Sequence, residues 1–327
     1  MENRAIIFNT NIGSYNLGDN IICNSAKKEL SNILNDYLCV DFPTHTPLFE
    51  IWQMTKRSGR YKAFSSFNLK LLFGTNIFTK NLFKPWPNFN LNVFNKHLYK
   101  DTVMVGVGSA SGILNANNFT KYLYREILSK QYIHSTRDEI TKKFIESLGS
   151  EYKAINTGCP TMWSLTEEHC KQIPIKKSDS VVFTLTNNES DVESDKKLIS
   201  LLLDCYKHLY FVPQSIGDIE YLEKINSKKN INILPSDIEA VGQFYENNDV
   251  DYVGSRLHGG IYAMQNKKRS IILSVDNRAS DIAENYNINC IERSNLDAIY
   301  IKINSEFDTK INININLINE WKSQFKD

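Results

Sequence analysis

The chain has 327 residues, with 38 Lys and Arg against 37 Asp and Glu, a formal net charge of +1 and 42% apolar side chains. Single cores stop growing near ~250–300 residues, so the length implies two domains, and the near-neutral charge excludes a general nucleic-acid binder, which neutralises phosphates with a basic surface. No apolar run reaches the ~20 residues that span a bilayer, the N-terminal MENRAIIFNT lacks a secretory h-region, and the six cysteines are scattered without a CxxC pair; we therefore expect a cytoplasmic protein with free thiols, no metal site and no cofactor.

In chain order, RAIIFNT followed by NIGSYNLGDNIICNSAKKEL reads as a buried strand, a Gly/Asn-rich loop and an amphipathic helix, the opening unit of a parallel α/β sheet. Residues 51–100 are unlike the rest, with nine Lys/Arg, eleven aromatics and no Asp/Glu. They read either as a helical lobe packed on its own aromatics or as a surface for anionic lipid, with 56–62 and 80–89 as contact segments and a peripheral membrane location. TVMVGVGSASG (102–112) is a strand ending in small residues. YIHSTRDEITKKFIESLG (132–149) is a short strand, then a helix with Ser135 or Thr136 as N-cap and Gly149 as its close. INTGCPTMWSL (155–165) is a strand and a proline turn, and the polar 170–180, with Pro174, is the best linker.

The second half restarts the alternation with SVVFTL, DKKLISLLLDCYK, LYFVPQ, INILP, IEAVGQFYENND, VDYVG and SIILSV; INININLIN (311–319) is an edge strand or helix approach, and NLINEWKSQFKD a surface helix. Strands alternating with helices in both halves predict two Rossmann-like doubly wound domains facing a cleft, 1–172 and 173–327.

Ligands in such sheets bind beyond the carboxyl ends of strands, where loops enter helix N-termini. Four segments qualify. In GSYNLGDN (13–20) the glycines let backbone N–H groups approach an anion or sugar, and Asp19 reads as an N-cap or as a base; the loop is not GxGxxG, which gives a dinucleotide little support. In HSTRDE (134–139), Arg137 is an anion ligand or the partner of Asp138 or Glu139. TGCPT (157–161) is a tight turn whose Cys159 has no coupled histidine. In SRLHGG (255–260), Arg256 and His258 precede a helix opened by Gly259–Gly260, where unpaired N–H groups and the dipole add to two cations, giving an anion site with a proton donor. Arg278, after the next strand, is a third candidate cation.

Together, NLGDN, STRDEITKKFIESLG, TGCPT and SRLHGGIYAMQNKKRSIILSVDNR resemble, in order and spacing, the polysaccharide pyruvyl transferase family, over roughly residues 5–290 with 51–100 outside the likeness. The resemblance implies a glycosyltransferase-B-like pair of domains that binds phosphoenolpyruvate as co-substrate and places a pyruvate ketal on a sugar, expected to be a lipid-linked oligosaccharide. By matching positions it implies Arg137, Arg256 and His258 as donor-site residues, with Leu257 contributing backbone; Arg278 is a further candidate phosphoenolpyruvate ligand, and for such a reaction we expect His258 as the acid and Asp19 as the base. Asn16, Asn20 and Asp138 would lie near the acceptor, with Asp19 and Asn20 on the N-terminal domain. Two departures stand out. Arg278 stands where many members carry a lysine, and Gly106-Val107-Gly108 replaces a triple glycine. The rival expectations are a nucleotide-sugar glycosyltransferase of the same architecture and a non-catalytic polysaccharide-assembly protein.

Overall fold

In the computed structural model, which describes residues 3–55, 59–83, 88–225, 230–275, 282, 283 and 285–325, the apolar runs become parallel strands in two compact units. Unit 1 comprises residues 1–14, 22–163 and 314–327; unit 2 comprises 15–21 and 164–313.

Unit 1 contains β1 (Arg4–Asn9), β2 (Leu38–Pro43), β3 (Leu69–Phe73), β4 (Asn76–Phe78), β5 (Val103–Val105), β6 (Gly108–Ser109), β7 (His134–Thr136) and β8 (Ala154–Asn156). Its main sheet runs β2-β1-β3-β5, and parallel bridges from Val107 to Thr136 and from Thr102 to Leu128 continue it towards the β7–β8 pair. With its strands renumbered in chain order the main sheet runs 2-1-3-4, the start of the flavodoxin-like order. Both faces are covered, as a parallel sheet requires. Along β1, Ile6 and Phe8 join Leu72, Met104, Phe78 and Phe144 in one core, whereas Ala5 and Ile7 join Leu71, Phe73, Val103 and Trp163 in the other.

The segment 51–100 is not a helical lobe. It holds two short helices, Ile51–Thr55 and Gly59–Ser65, but also β3, which lies between β1 and β5 in the middle of the sheet. Residues 56–58 and 84–87 of the expected contact segments lie outside the described residues.

Unit 2 contains β9 (Ser180–Thr184), β10 (His208–Phe211), β11 (Ile231–Ile233), β12 (Asp251–Gly254), β13 (Ser270–Ser274) and β14 (Cys290–Glu292) in one parallel sheet of order β11-β10-β9-β12-β13-β14. This is the 3-2-1-4-5-6 order of Rossmann domains, with the reversal between β9 and β12. Val181, Phe183, Val253, Ile271 and Leu273 bury against Leu198, Leu202, Leu222, Ile299 and Ile303 of the covering helices. A fully buried pair supports the sheet: Arg269 donates to Asp251 Oδ2 at 2.6 Å and to the carbonyls of Lys302, Ile303 and Ser305, ending the helix Leu296–Asn304.

The division departs from a single cut after residue 172. The helix Ile315–Ser323 belongs to unit 1, because Ile318 and the fully buried Trp321 enter its core beside Trp163. INININLIN forms no strand; its last residues begin this helix.

Candidate functional site

The reversal between β9 and β12 leaves a crevice at their carboxyl ends, and the Arg256–His258 segment follows β12 there. Gly254, the last residue of β12, has no room for a side chain: a Cβ would lie 2.7 Å from the backbone nitrogen and 2.9 Å from the oxygen of Thr184 in β9. The two strands therefore end side by side. Arg256 is next held by a closed set of hydrogen bonds. Its N–H donates to Thr184 Oγ1 (3.3 Å), and Tyr252 Oη donates to its carbonyl (2.8 Å). Thr184 in turn donates to Tyr252 Oη at 2.6 Å, the role left to it in that ring. Burial pushes the Tyr252 phenol upward, keeping it a donor.

Arg256 is the N-cap of the helix Leu257–Gln265. The helix thus starts at Leu257 and is not opened by Gly259–Gly260. Those glycines serve packing: a Cβ on Gly260 would meet Ile272 Cγ1 at 2.5 Å, and one on Gly259 would meet Tyr252 Oη at 2.9 Å. The first-turn N–H groups of Leu257, half-buried His258 and Gly259 face the crevice end, where an anion is favoured.

The guanidinium is already committed on one edge. Nε donates to Leu185 O (3.1 Å), and Nη2 donates to Ser215 Oγ (2.5 Å) and to both oxygens of Asp218 (3.0 Å each). Asp218 is fully buried and also accepts from the N–H groups of Gln214 and Ser215 and from Ser215 Oγ, each at 2.9 Å. That many donors compensate a buried carboxylate. The Arg256 side chain stays 14% exposed, and Nη1 makes no hydrogen bond among the described residues. It can offer an anion one amine edge, not the two-pronged fork expected of it.

Residues 15–21 belong to unit 2. Leu17 N–H donates to Gln214 O (2.9 Å), and Asn16 Oδ1 accepts from Gly18 N–H (3.1 Å), closing a turn at the start of the helix Leu17–Glu29. A Cβ on Gly18 would sit 3.5 Å from His258 Nδ1, so this glycine lets the turn lie against the imidazole. Exposed Asn16, buried Asp19 and half-buried Asn20 are thus grouped with His258 and not with the N-terminal domain.

Arg137 lies in unit 1. Its N–H donates to Val107 O (2.9 Å), and its Nη2 donates to Asn76 Oδ1. Gly108 leaves the space that its guanidinium fills, and Gly106, at φ +59°, leaves the space that Pro160 of TGCPT fills. These two positions of the altered triple glycine are therefore accounted for by close packing. The helix after β7 is capped by Asp138, which accepts from Thr141 N–H at 2.7 Å, and not by Ser135 or Thr136, which belong to the strand. The helix ends at Glu146, before Gly149. Glu139 accepts from Asn156 (3.0 Å) and approaches Lys142. Arg278 lies outside the described residues. Among the described residues no group of three His, Cys, Asp or Glu side chains is arranged to hold a metal ion.

The sequence profile of the polysaccharide pyruvyl transferase family matches residues 16–277, which take in both the Asn16–Asp19 turn and the Arg256–His258 segment. The chain belongs to the polysaccharide pyruvyl transferase family. A comparison with curated proteins gives no match. Among solved structures, the chain is similar to the UDP-GlcNAc 2-epimerase of Methanocaldococcus jannaschii in complex with UDP-GlcNAc and UDP, at 13% identity and a TM-score of 0.51 over 96% of this chain and 97% of that one. S. aureus MnaA in a UDP co-structure gives 12% identity and 0.49 over 94% and 92%. The UDP-GlcNAc 2-epimerase of Neisseria meningitidis bound to UDP-GlcNAc gives 11% and 0.49 over 99% and 94%. The likeness to the first is one of fold: α/β, Rossmann-like and glycosyltransferase-B-like.

In this polysaccharide pyruvyl transferase family member, the residues of the candidate site that sequence reasoning missed are Ser215 and Asp218, which fix Arg256. A signal was present. SIGD (215–218) repeats the Gly-Asp helix start of NLGD (16–19) directly after a strand, and Gly217 has φ +87°.

Proposed function

We propose that this member of the family transfers pyruvate from phosphoenolpyruvate onto two hydroxyls of a sugar, in a surface polysaccharide or its lipid-linked precursor. The observation that carries the reading is His258 in the first turn of a helix at the sheet reversal, lying against the Asn16–Asp19 turn and two residues after Arg256, whose Nη1 makes no hydrogen bond among the described residues. First-turn N–H groups and Nη1 supply donors for a phosphate or carboxylate, and Arg137 in unit 1 is a second guanidinium with the same chemistry.

In the reaction, imidazolium His258 gives its proton to the methylene carbon, and the adjacent carbon takes on oxocarbenium character. A sugar hydroxyl adds there and loses its proton to Asp19, for which Asp138 is the substitute. A second hydroxyl then displaces phosphate, which carries away the last proton, and the ketal closes. Donors aimed at the departing phosphate act where charge develops.

The test is mass spectrometry of a lipid-linked glycan incubated with the enzyme and phosphoenolpyruvate, where added pyruvate is the expected product. In that assay His258→Ala should lower turnover roughly 10²–10⁴-fold, the usual worth of a positioned general acid, while the fold survives. Near-native turnover in the variant would remove the proton-donor role.

A nucleotide-sugar glycosyltransferase is the second reading, since helix N-termini at such reversals also serve nucleotide phosphates and the epimerase of similar fold was crystallised with UDP. Thermal stabilisation by UDP-sugars and not by phosphoenolpyruvate would favour it.

A further inference from the structure

Unit 1 carries an aromatic and basic patch that neither its sheet nor the residues above use. Asn117 caps the helix Asn118–Ile127, accepting from Thr120 N–H at 2.8 Å. It also pins the loop before it: its N–H donates to Lys80 O (3.2 Å) and its Nδ2 to Asn81 Oδ1 (3.3 Å). That clamp sets Phe83 on Phe119, ring centroids 4.5 Å apart with 18° between the planes. Phe119 rests on the core beneath, so Phe83 is held rigidly outward, 69% exposed. One turn along the helix, Lys96 Nζ sits 4.7 Å over the ring of Tyr122 and also pairs with Glu126. Phe94, 53% exposed, is two residues before Lys96, and Leu114, 50% exposed, follows Gly112, whose open side faces the Lys80 stem.

Large rings held outward beside ammonium groups suit a headgroup layer, where apolar parts enter the acyl boundary and lysines meet phosphates. The sequence adds complementarity: 51–100 contains no acidic residue, and of its basic residues Lys80 stands beside the open side of Gly112 on this face. We propose that this face docks on an anionic lipid bilayer, with Phe83, Phe94 and Leu114 entering the boundary and Lys80 contacting lipid phosphate. The surface is independent of the transferase chemistry and stands or falls without it.

The experiment is co-sedimentation of the full chain with vesicles of phosphatidylcholine alone and of phosphatidylcholine mixed with phosphatidylglycerol. Binding is expected on the mixed vesicles only, with release by salt. Lys80→Glu should weaken it roughly tenfold, since each basic residue at an anionic surface matters at about that scale. The double variant Phe83→Ser, Phe94→Ser should weaken it by about tenfold or more while retaining the native melting temperature, because both rings are largely outside the core. The proposal is overturned by absence of sedimentation with mixed vesicles, or by a double variant that binds as the native chain does. It is equally overturned if the double variant dissolves a dimer in sedimentation velocity while the native chain ignores vesicles, which would assign the face to a second copy.

Discussion

Arg256 illustrates how a residue proposed as a ligand can also be a strut. Its Nη2 edge neutralises Asp218, so removing it leaves a fully buried carboxylate without its countercharge. Arg256→Ala should lose roughly 3–5 kcal/mol of stability in denaturant titrations, more than His258→Ala, which strands no buried carboxylate. If the arginine variant matched native stability, Asp218 would have to find compensation elsewhere, and the strut role would fail. His134 makes a different prediction. Its Nδ1 accepts from Met104 N–H (3.1 Å) and its Nε2 donates to Ser129 O (3.0 Å), so the ring is neutral, and burial lowers its pKa to about 4 from 6.5. A depressed value means the unfolded chain binds the proton more readily between those limits. Its contribution is therefore full above pH 6.5 and is lost as pH falls towards 4, by about 3 kcal/mol. His134→Gln, which preserves a donor and an acceptor, should remove that slope; an unchanged slope would refute the assignment.

At the scale of elements, β9 and β12 depend on the absence of one methyl group. Gly254→Ala would press on Thr184 Oγ1, which is itself held by hydrogen bonds, and on the Thr184 backbone, so we expect a loss of about 1–3 kcal/mol, read in thermal melts. These strands were legible in the sequence because SVVFTL and VDYVG are short, mostly apolar runs that each lie between helical patterns, the single Asp251 notwithstanding. β3 was not, for a physical reason. LKLLF carries a lysine, which in a pattern signals exposure, yet Lys70 is buried and donates to Lys100 O at 3.0 Å, and desolvation lowers its pKa to about 8. β2 hid likewise behind Asp41, which accepts from Asn9 at 2.8 Å and pairs with Lys27. The Arg256–His258 segment was legible from its glycines and its place after a strand. Its partner Asp218, 38 residues earlier, was not, because that pairing is set by the order of strands in the sheet.

At the scale of the whole molecule, the chain does not finish one unit before starting the next. Residues 314–327 complete unit 1, where Trp321 donates to Ile133 O at 2.6 Å and packs on Trp163 with centroids 5.7 Å apart. Trp321→Ala should therefore cost roughly 3–5 kcal/mol and lower the melting transition of unit 1. A surface helix, as the sequence alone suggested, would lose far less, so calorimetry separates the two descriptions.

The same threading bears on dissection. A fragment comprising only residues 164–313 would carry Arg256, His258 and Asp218 but not the Asn16–Asp19 turn that lies against the imidazole. Gln214 O would lose the N–H of Leu17. Any split or permuted form intended to keep unit 2 whole must carry that short N-terminal piece along, grafted or supplied in trans, much as a tenon must be cut with its joint.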